Sequence, residues 1–162
     1  WCDVKDSWEA AKWPVISIKD IVEDALAFPG RLIVITGGEP LMYNMAPLTK
    51  LLKEKGFTTN IETSGAHPYS GDFDWVCFSP KKFKKPHPSI YAEADELKVV
   101  VYNRSDYDFA EQHAMLVKDN CELRLQPEWS KAGKITAEII DFVNNHPKWN
   151  ISLQTHKFMD IP

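Results

Sequence analysis

Six short apolar runs, at residues 31–35, 58–62, 75–78, 96–102, 122–125 and 150–153, are separated by stretches that carry helix signals. This alternation constrains the fold more than any other feature of the chain. Antiparallel strands need only a tight turn between them, whereas parallel strands need a crossover of a dozen residues or more, usually a helix. The pattern therefore predicts an α/β fold with a mostly parallel sheet. Helices are expected at 17–28, where Ser17 and Asp20 can form a capping box and Pro29-Gly30 stops the run, and at 45–55, with Leu48, Leu51 and Leu52 on one face and Gly56 as the stop. Two more are expected, one opened by Ser105 and reaching residue 118, the other at 135–144. Six strands are too few to close an eight-stranded barrel, so the expected architecture is a partial (β/α) barrel, open on one side, in one domain spanning 1–162. The chain begins at Trp1 without a methionine or an apolar leader, and reads as a piece whose N-terminal part is missing.

The first run, Arg31-Leu32-Ile33-Val34-Ile35, passes directly into Thr36-Gly37-Gly38-Glu39-Pro40. A β-branched strand ending in two glycines and a carboxylate reads as a ligand-binding turn: the glycines permit close backbone approach, and Glu39 is an acceptor suited to a cationic amine. Taken alone, the same pattern also fits a structural turn. The other strand ends are Glu62-Thr63-Ser64-Gly65, Ser79-Pro80-Lys81, Gln126-Pro127 and Gln154-Thr155-His156-Lys157. All are polar, and in a parallel sheet all converge on one rim. Lys98 interrupts an apolar strand, so it must reach solvent, pair, or point into a polar cavity. Cys77 and Cys121 lie in apolar runs and read as small buried hydrophobes.

The formal net charge of −4 gives no basic footprint for nucleic acid, and no apolar stretch approaches the ~20 residues that span a bilayer, which leaves a small molecule as the expected partner. Three widely separated cysteines make no disulfide framework and point to a reducing cytoplasm. The one concentrated positive patch, Lys81-Lys82-Phe83-Lys84-Lys85, reads as a solvated loop or as a holder of an anionic ligand.

Cys2-Asp3 with Lys5 and Trp8, Thr36 to Pro40, Glu62 to Gly65, Ser79-Pro80-Lys81, Glu96-Leu97-Lys98 and Gln154 to Lys157 together resemble the 7-carboxy-7-deazaguanine synthase family of radical S-adenosylmethionine (SAM) enzymes, over essentially the whole chain. The resemblance implies a homodimeric lyase of queuosine and deazapurine biosynthesis. Such an enzyme converts 6-carboxy-5,6,7,8-tetrahydropterin to 7-carboxy-7-deazaguanine with loss of ammonia, using a 4Fe-4S cluster, SAM and an electron donor such as flavodoxin. It also implies roles by position. Cys2 is a cluster ligand; Gly38 and Glu39 hold the SAM amino group; Ser64, Ser79 and Lys81 line the SAM ribose and carboxylate. Thr36, Gln154 and His156 face the pterin, with the terminal carboxylate of Pro162 as a further acceptor. Two cysteines of the cluster set would precede Trp1, so this length of chain is expected to be inactive by itself.

One position departs from the family pattern. Val4 stands where family members commonly carry a threonine associated with magnesium, and valine offers no oxygen. Magnesium is then either not required or held by Asp3, water and substrate oxygens. Other readings of the same residues are a different radical SAM enzyme, such as a glycyl-radical activase, a non-catalytic nucleotide-binding α/β domain, and a domain serving only as a subunit surface.

Overall fold

The computed structural model describes residues 13–160. Helix α1 (Ile18–Leu26) opens on Ser17, whose hydroxyl accepts the Asp20 N–H at 3.2 Å. Strand β1 (Leu32–Ile35) follows, then a 3-10 turn (Pro40–Met42), α2 (Ala46–Glu54), β2 (Thr58–Thr63) and β3 (Trp75–Phe78). The short α3 (Ile90–Glu93) leads to β4 (Glu96–Val101), α4 (Ser105–Ala114) and β5 (Glu122–Pro127). A second 3-10 turn (Trp129–Lys131), α5 (Ala132–Asn145), β6 (Trp149–Ile151) and α6 (Thr155–Phe158) complete the described chain.

Three local expectations differ from what forms. Helix α4 stops at Ala114 rather than 118: Leu116 N–H turns back to the His113 carbonyl at 3.0 Å, and Lys118 leaves the helix path to pair with Asp95 at 2.6 Å. Ser105 does not cap that helix. The Asp106 carboxylate, 1% exposed, does the fastening by accepting the Tyr102 and Asn103 N–H groups at 2.7 and 2.8 Å. Helix α5 begins three residues early because the 3-10 turn feeds straight into it.

All five strand pairs are parallel and the spatial order is β1-β2-β3-β4-β5-β6. Crossovers between parallel strands are right-handed, so when every step moves in the same direction the connecting helices fall on the same face. A doubly wound sheet would reverse direction midway and cover both faces. The sequential order here is that of a (β/α) barrel wall, six strands long among the described residues.

Burial follows that one-sided layering. In β4, Leu97, Val99 and Val101 are buried while Glu96, Lys98 and Val100 are half-buried; in β2, Thr59, Ile61 and Thr63 are buried and Thr58, Asn60 and Glu62 are not. The helix-facing side packs Phe78, Leu97, Leu125, Ile139 and Trp149 into one core, with Val22, Leu52 and Phe57 as a satellite under α1 and α2. Each such side chain contributes about 1.5–3 kcal/mol by leaving water. The opposite face carries Asn60 and Glu62 of β2, Glu96 and Lys98 of β4, and Glu122, Arg124 and Gln126 of β5, with Leu32 and Val34 of β1 at its edge.

Candidate functional site

At the end of β1 the chain passes through exposed Thr36, Gly37 and Gly38 before entering the 3-10 turn. Gly37 sits at φ +119°, where a side chain is strained, and a Cβ there would meet nothing within 4 Å. Its glycine is therefore a backbone requirement and not a packing one, and the space over the turn is open.

Glu39 anchors this turn. Its Oε1 accepts the Leu41 N–H at 3.1 Å and the Thr63 hydroxyl; its Oε2 accepts the Ser64 N–H at 2.9 Å and the Ser64 hydroxyl. A carboxylate has about four acceptor positions, and here four donors fill them. The Glu39 side chain is thus a clasp between the ends of β1 and β2, a job the sequence motif does not disclose. Thr63 is the other half of it, a residue that the strand-end motif contains but to which it assigns no role: it is 4% exposed and also accepts the Gly65 N–H at 2.9 Å.

Beside the clasp, Ser79 donates its N–H to the Thr63 carbonyl at 2.8 Å and accepts the Lys81 ammonium on Oγ at 2.9 Å. Ser64, Ser79 and Lys81 are therefore brought to one stretch of the rim with Glu39. The lysine-rich loop beyond is fastened in place: Lys82 pairs with Asp106 at 2.5 Å and donates to Ser105 at 2.8 Å, while Lys84 lies 2.9 Å from the His67 ring. Loops after β2, β3 and β4 are thereby linked into one platform.

Thr36 follows β1, whereas Gln154 and His156 follow β6, so they stand at the ends of the two edge strands of the sheet. Gln154 is half-buried and His156 exposed. Cys2, Asp3, Val4, Lys5, Trp8 and Pro162 lie outside the described residues.

Among the described residues no group of three or more His, Cys, Asp or Glu side chains converges as a metal site. Burial pushes the Cys77 thiol up to about 12 and the Cys121 thiol up to about 11, so both are protonated and inert near neutrality. No helix among them is long and apolar enough to cross a membrane.

On the helix-free face below the rim, Lys98 pairs with Glu62 at 2.9 Å, and Glu96 lies 3.7 Å from Arg124, which also grips Glu122 at 2.5 Å. Burial would lower the Lys98 ammonium, yet the facing Cys77, Glu62 and Glu96 outweigh it and lift Lys98 above the ordinary lysine value. Lys98 thus both pairs and faces the concave side. The alternating polar positions of β2, β4 and β5 are the sequence signal for this cluster.

No protein-family model matches the chain. The chain is 51% identical to the 7-carboxy-7-deazaguanine synthase of Flavobacterium psychrophilum, over all of this chain and 77% of that protein. It is 40% identical to the one from Synechocystis, over 99% of this chain and 77% of the relative. Its fold superposes on the crystal structure of QueE from Escherichia coli with a TM-score of 0.76 and 30% identity, covering 95% of this chain and 78% of that one.

Proposed function

The chain belongs to the 7-carboxy-7-deazaguanine synthase family, and from that premise we propose that it carries the SAM and substrate rim of a radical SAM lyase. In this reading the enzyme contracts 6-carboxy-5,6,7,8-tetrahydropterin to 7-carboxy-7-deazaguanine and releases ammonia. The observation that carries the proposal is the Glu39 clasp, which props an exposed glycine turn at φ +119° directly beside Ser64, Ser79 and Lys81.

The donor set fits the amino-acid end of SAM. A zwitterion needs acceptors for its ammonium and donors for its carboxylate. The backbone carbonyls of the glycine turn, with the Glu39 charge behind them, supply the first; Lys81 and the Ser79 hydroxyl supply the second, the Ser64 hydroxyl proton being given to Glu39. Because Glu39 already holds four donors, Gly38 takes the direct share of the ammonium and Glu39 the electrostatic share. Ser64 and Ser79 also reach the ribose hydroxyls, and Thr36, Gln154, His156 and Pro162 border the pterin. Cys2 is the cluster ligand that this chain contributes. When bound, the 4Fe-4S cluster and SAM would supply the radical that removes hydrogen from the pterin, with the electron delivered by a donor such as flavodoxin in the cytoplasm. Lys81 keeps a fixed positive charge against the SAM carboxylate, an attraction that strengthens where water is excluded. Val4 leaves any magnesium ion dependent on Asp3, water and substrate oxygens. A homodimer is the expected assembly.

The test is anaerobic reconstitution of the full-length protein with iron and sulfide, followed by assay of 6-carboxytetrahydropterin with SAM and reductant, with and without magnesium. Deazaguanine product with ammonia is the expected result, and the two magnesium arms decide the metal requirement. A protein that cleaves SAM but leaves the pterin untouched refutes the substrate; one that neither binds a cluster nor cleaves SAM refutes the chemistry.

A further inference from the structure

The helix-free face of the sheet holds a charge cluster whose balance is uneven. Glu62 on β2, Cys77 on β3, Glu96 on β4 and Glu122 on β5 occupy one register row, since Glu62 pairs with Cys77, Cys77 with Glu96 and Glu96 with Glu122. Lys98 and Arg124 pair with each other on the next same-face row. Beyond the pair Phe78 and Leu97 come Ser79 and Lys98, so Lys98 stands level with the rim serine. Three carboxylates thus face two cations, which favours the N–H donor edge of a ligand over its carboxylate at this place.

The three carboxylates are not equivalent. Glu96 is held by the Trp75 Nε1–H at 3.4 Å, the Cys77 thiol at 3.5 Å and Arg124 at 3.7 Å. Glu122 takes both Nε–H and Nη2–H of Arg124, at 3.2 and 2.5 Å. Glu62 takes one donor, the Lys98 ammonium at 2.9 Å, on Oε1. Its Oε2 accepts nothing among the described residues, its side chain is 44% exposed, and it stands one residue before the Thr63 of the clasp. The lysine beneath is the fixed member, 14% exposed.

Resting on the reading proposed above, we infer that Lys98 is a positioning residue that holds the Glu62 carboxylate on the concave face, where Glu62 Oε2 accepts the amino and ring N–H groups of the nitrogen-heterocyclic substrate. A carboxylate is the natural acceptor for such paired donors, and a charged hydrogen bond is about twice as strong as a neutral one. The part of this site that binds SAM lies on the rim above; Lys98 and Glu62 govern the heterocycle alone.

The test begins with the full-length protein without cluster or SAM, titrated with 6-carboxypterin and followed by pterin fluorescence. Glu62→Gln, which is nearly isosteric, and Lys98→Met should each weaken binding by about tenfold or more. Lys98→Arg, which keeps a cation against Glu62, should retain most of the affinity, and the double variant Glu62→Gln/Lys98→Met should be little worse than either single one. In the reconstituted enzyme, KM for the pterin should rise in Lys98→Met while KM for SAM stays at the wild-type value. Unchanged pterin affinity in Lys98→Met and Glu62→Gln, in a protein that converts the pterin, overturns this inference alone. Equal loss in Lys98→Arg and Lys98→Met, or a parallel rise in KM for SAM, assigns the lysine a merely structural role and also overturns it. A wild-type protein that neither binds nor converts the pterin overturns the proposed substrate together with the inference.

Discussion

Replacing Gly65 by alanine sets two separable costs side by side. Gly65 lies at φ +67°, and a Cβ built there would stand 2.8 Å from Phe78 Cε2 and 3.0 Å from Ile90 Cγ2. Phe78 and Ile90 are both fully buried, so neither side chain can yield without opening a gap elsewhere in the core. The backbone conformation costs a non-glycine residue about 1–2 kcal/mol. The collision adds about 1–3 kcal/mol, typical of an extra carbon forced into a packed interior. Gly65→Ala should therefore cost about 2–5 kcal/mol, a large share of the stability of an ordinary domain. Gly56 provides the control: it has φ +79° and nothing within 4 Å of the point a Cβ would occupy, so Gly56→Ala should show the backbone cost alone. Urea unfolding followed by far-ultraviolet circular dichroism, fitted with a common slope, gives the difference directly. If the two variants have the same midpoint, the steric half of this reasoning is wrong and the core around Phe78 is softer than its burial indicates.

Glu39→Ala strips the acceptor from the Leu41 and Ser64 N–H groups and from two hydroxyls, and should lower stability by about 2–4 kcal/mol in the same unfolding experiment. A loss under about 1 kcal/mol would mean that water replaces the clasp at little cost. Burial holds His113 below its ordinary histidine value, so the unfolded chain binds the extra proton first and stability should fall as pH drops below about 6.5. His113→Gln should flatten that part of the stability profile, and an unchanged slope would reject the assignment. Cys77 and Cys121, both buried with thiols raised to about 12 and 11, should resist alkylation by iodoacetamide at neutral pH in the native protein and react in urea. Peptide mass spectrometry reads both sites, and fast native labelling of either contradicts the burial argument.

The alternation of apolar runs with helix signals is enough to reach the parallel sheet, because periodicity and stop residues act locally. Where α4 ends is not local. Lys118 is drawn to Asp95, a partner far away in the chain, and Asp106 rather than Ser105 fastens the N-terminal end of that helix by gripping two backbone N–H groups behind it. The rim is legible for the same reason as the strands: polar residues after parallel strands must meet. What each rim residue does there depends on pairing across strands. In the sequence Glu39 reads as a free ligand group, and only the juxtaposition of β1 and β2 gives it Thr63 and Ser64 as donors. Lys98 reads as an interruption in an apolar strand, but its partner Glu62 lies two strands away and no sequence spacing announces it.

The sequential strand order has a consequence for how the protein is made. Each described strand pairs only with the described strand that precedes or follows it in the chain, so none of these pairings waits for a distant segment to be synthesised. Domains grow from their N-terminal end on the ribosome, and short loops close at lower entropic cost than long ones. The Glu39 clasp needs only β1 and β2, and is available before α4 has been translated. The platform after β3 and β4 is added next, and the Gln154 to Lys157 segment last. Among the described residues the rim is thus assembled in the order in which it is read, from the glycine turn toward the opposite border.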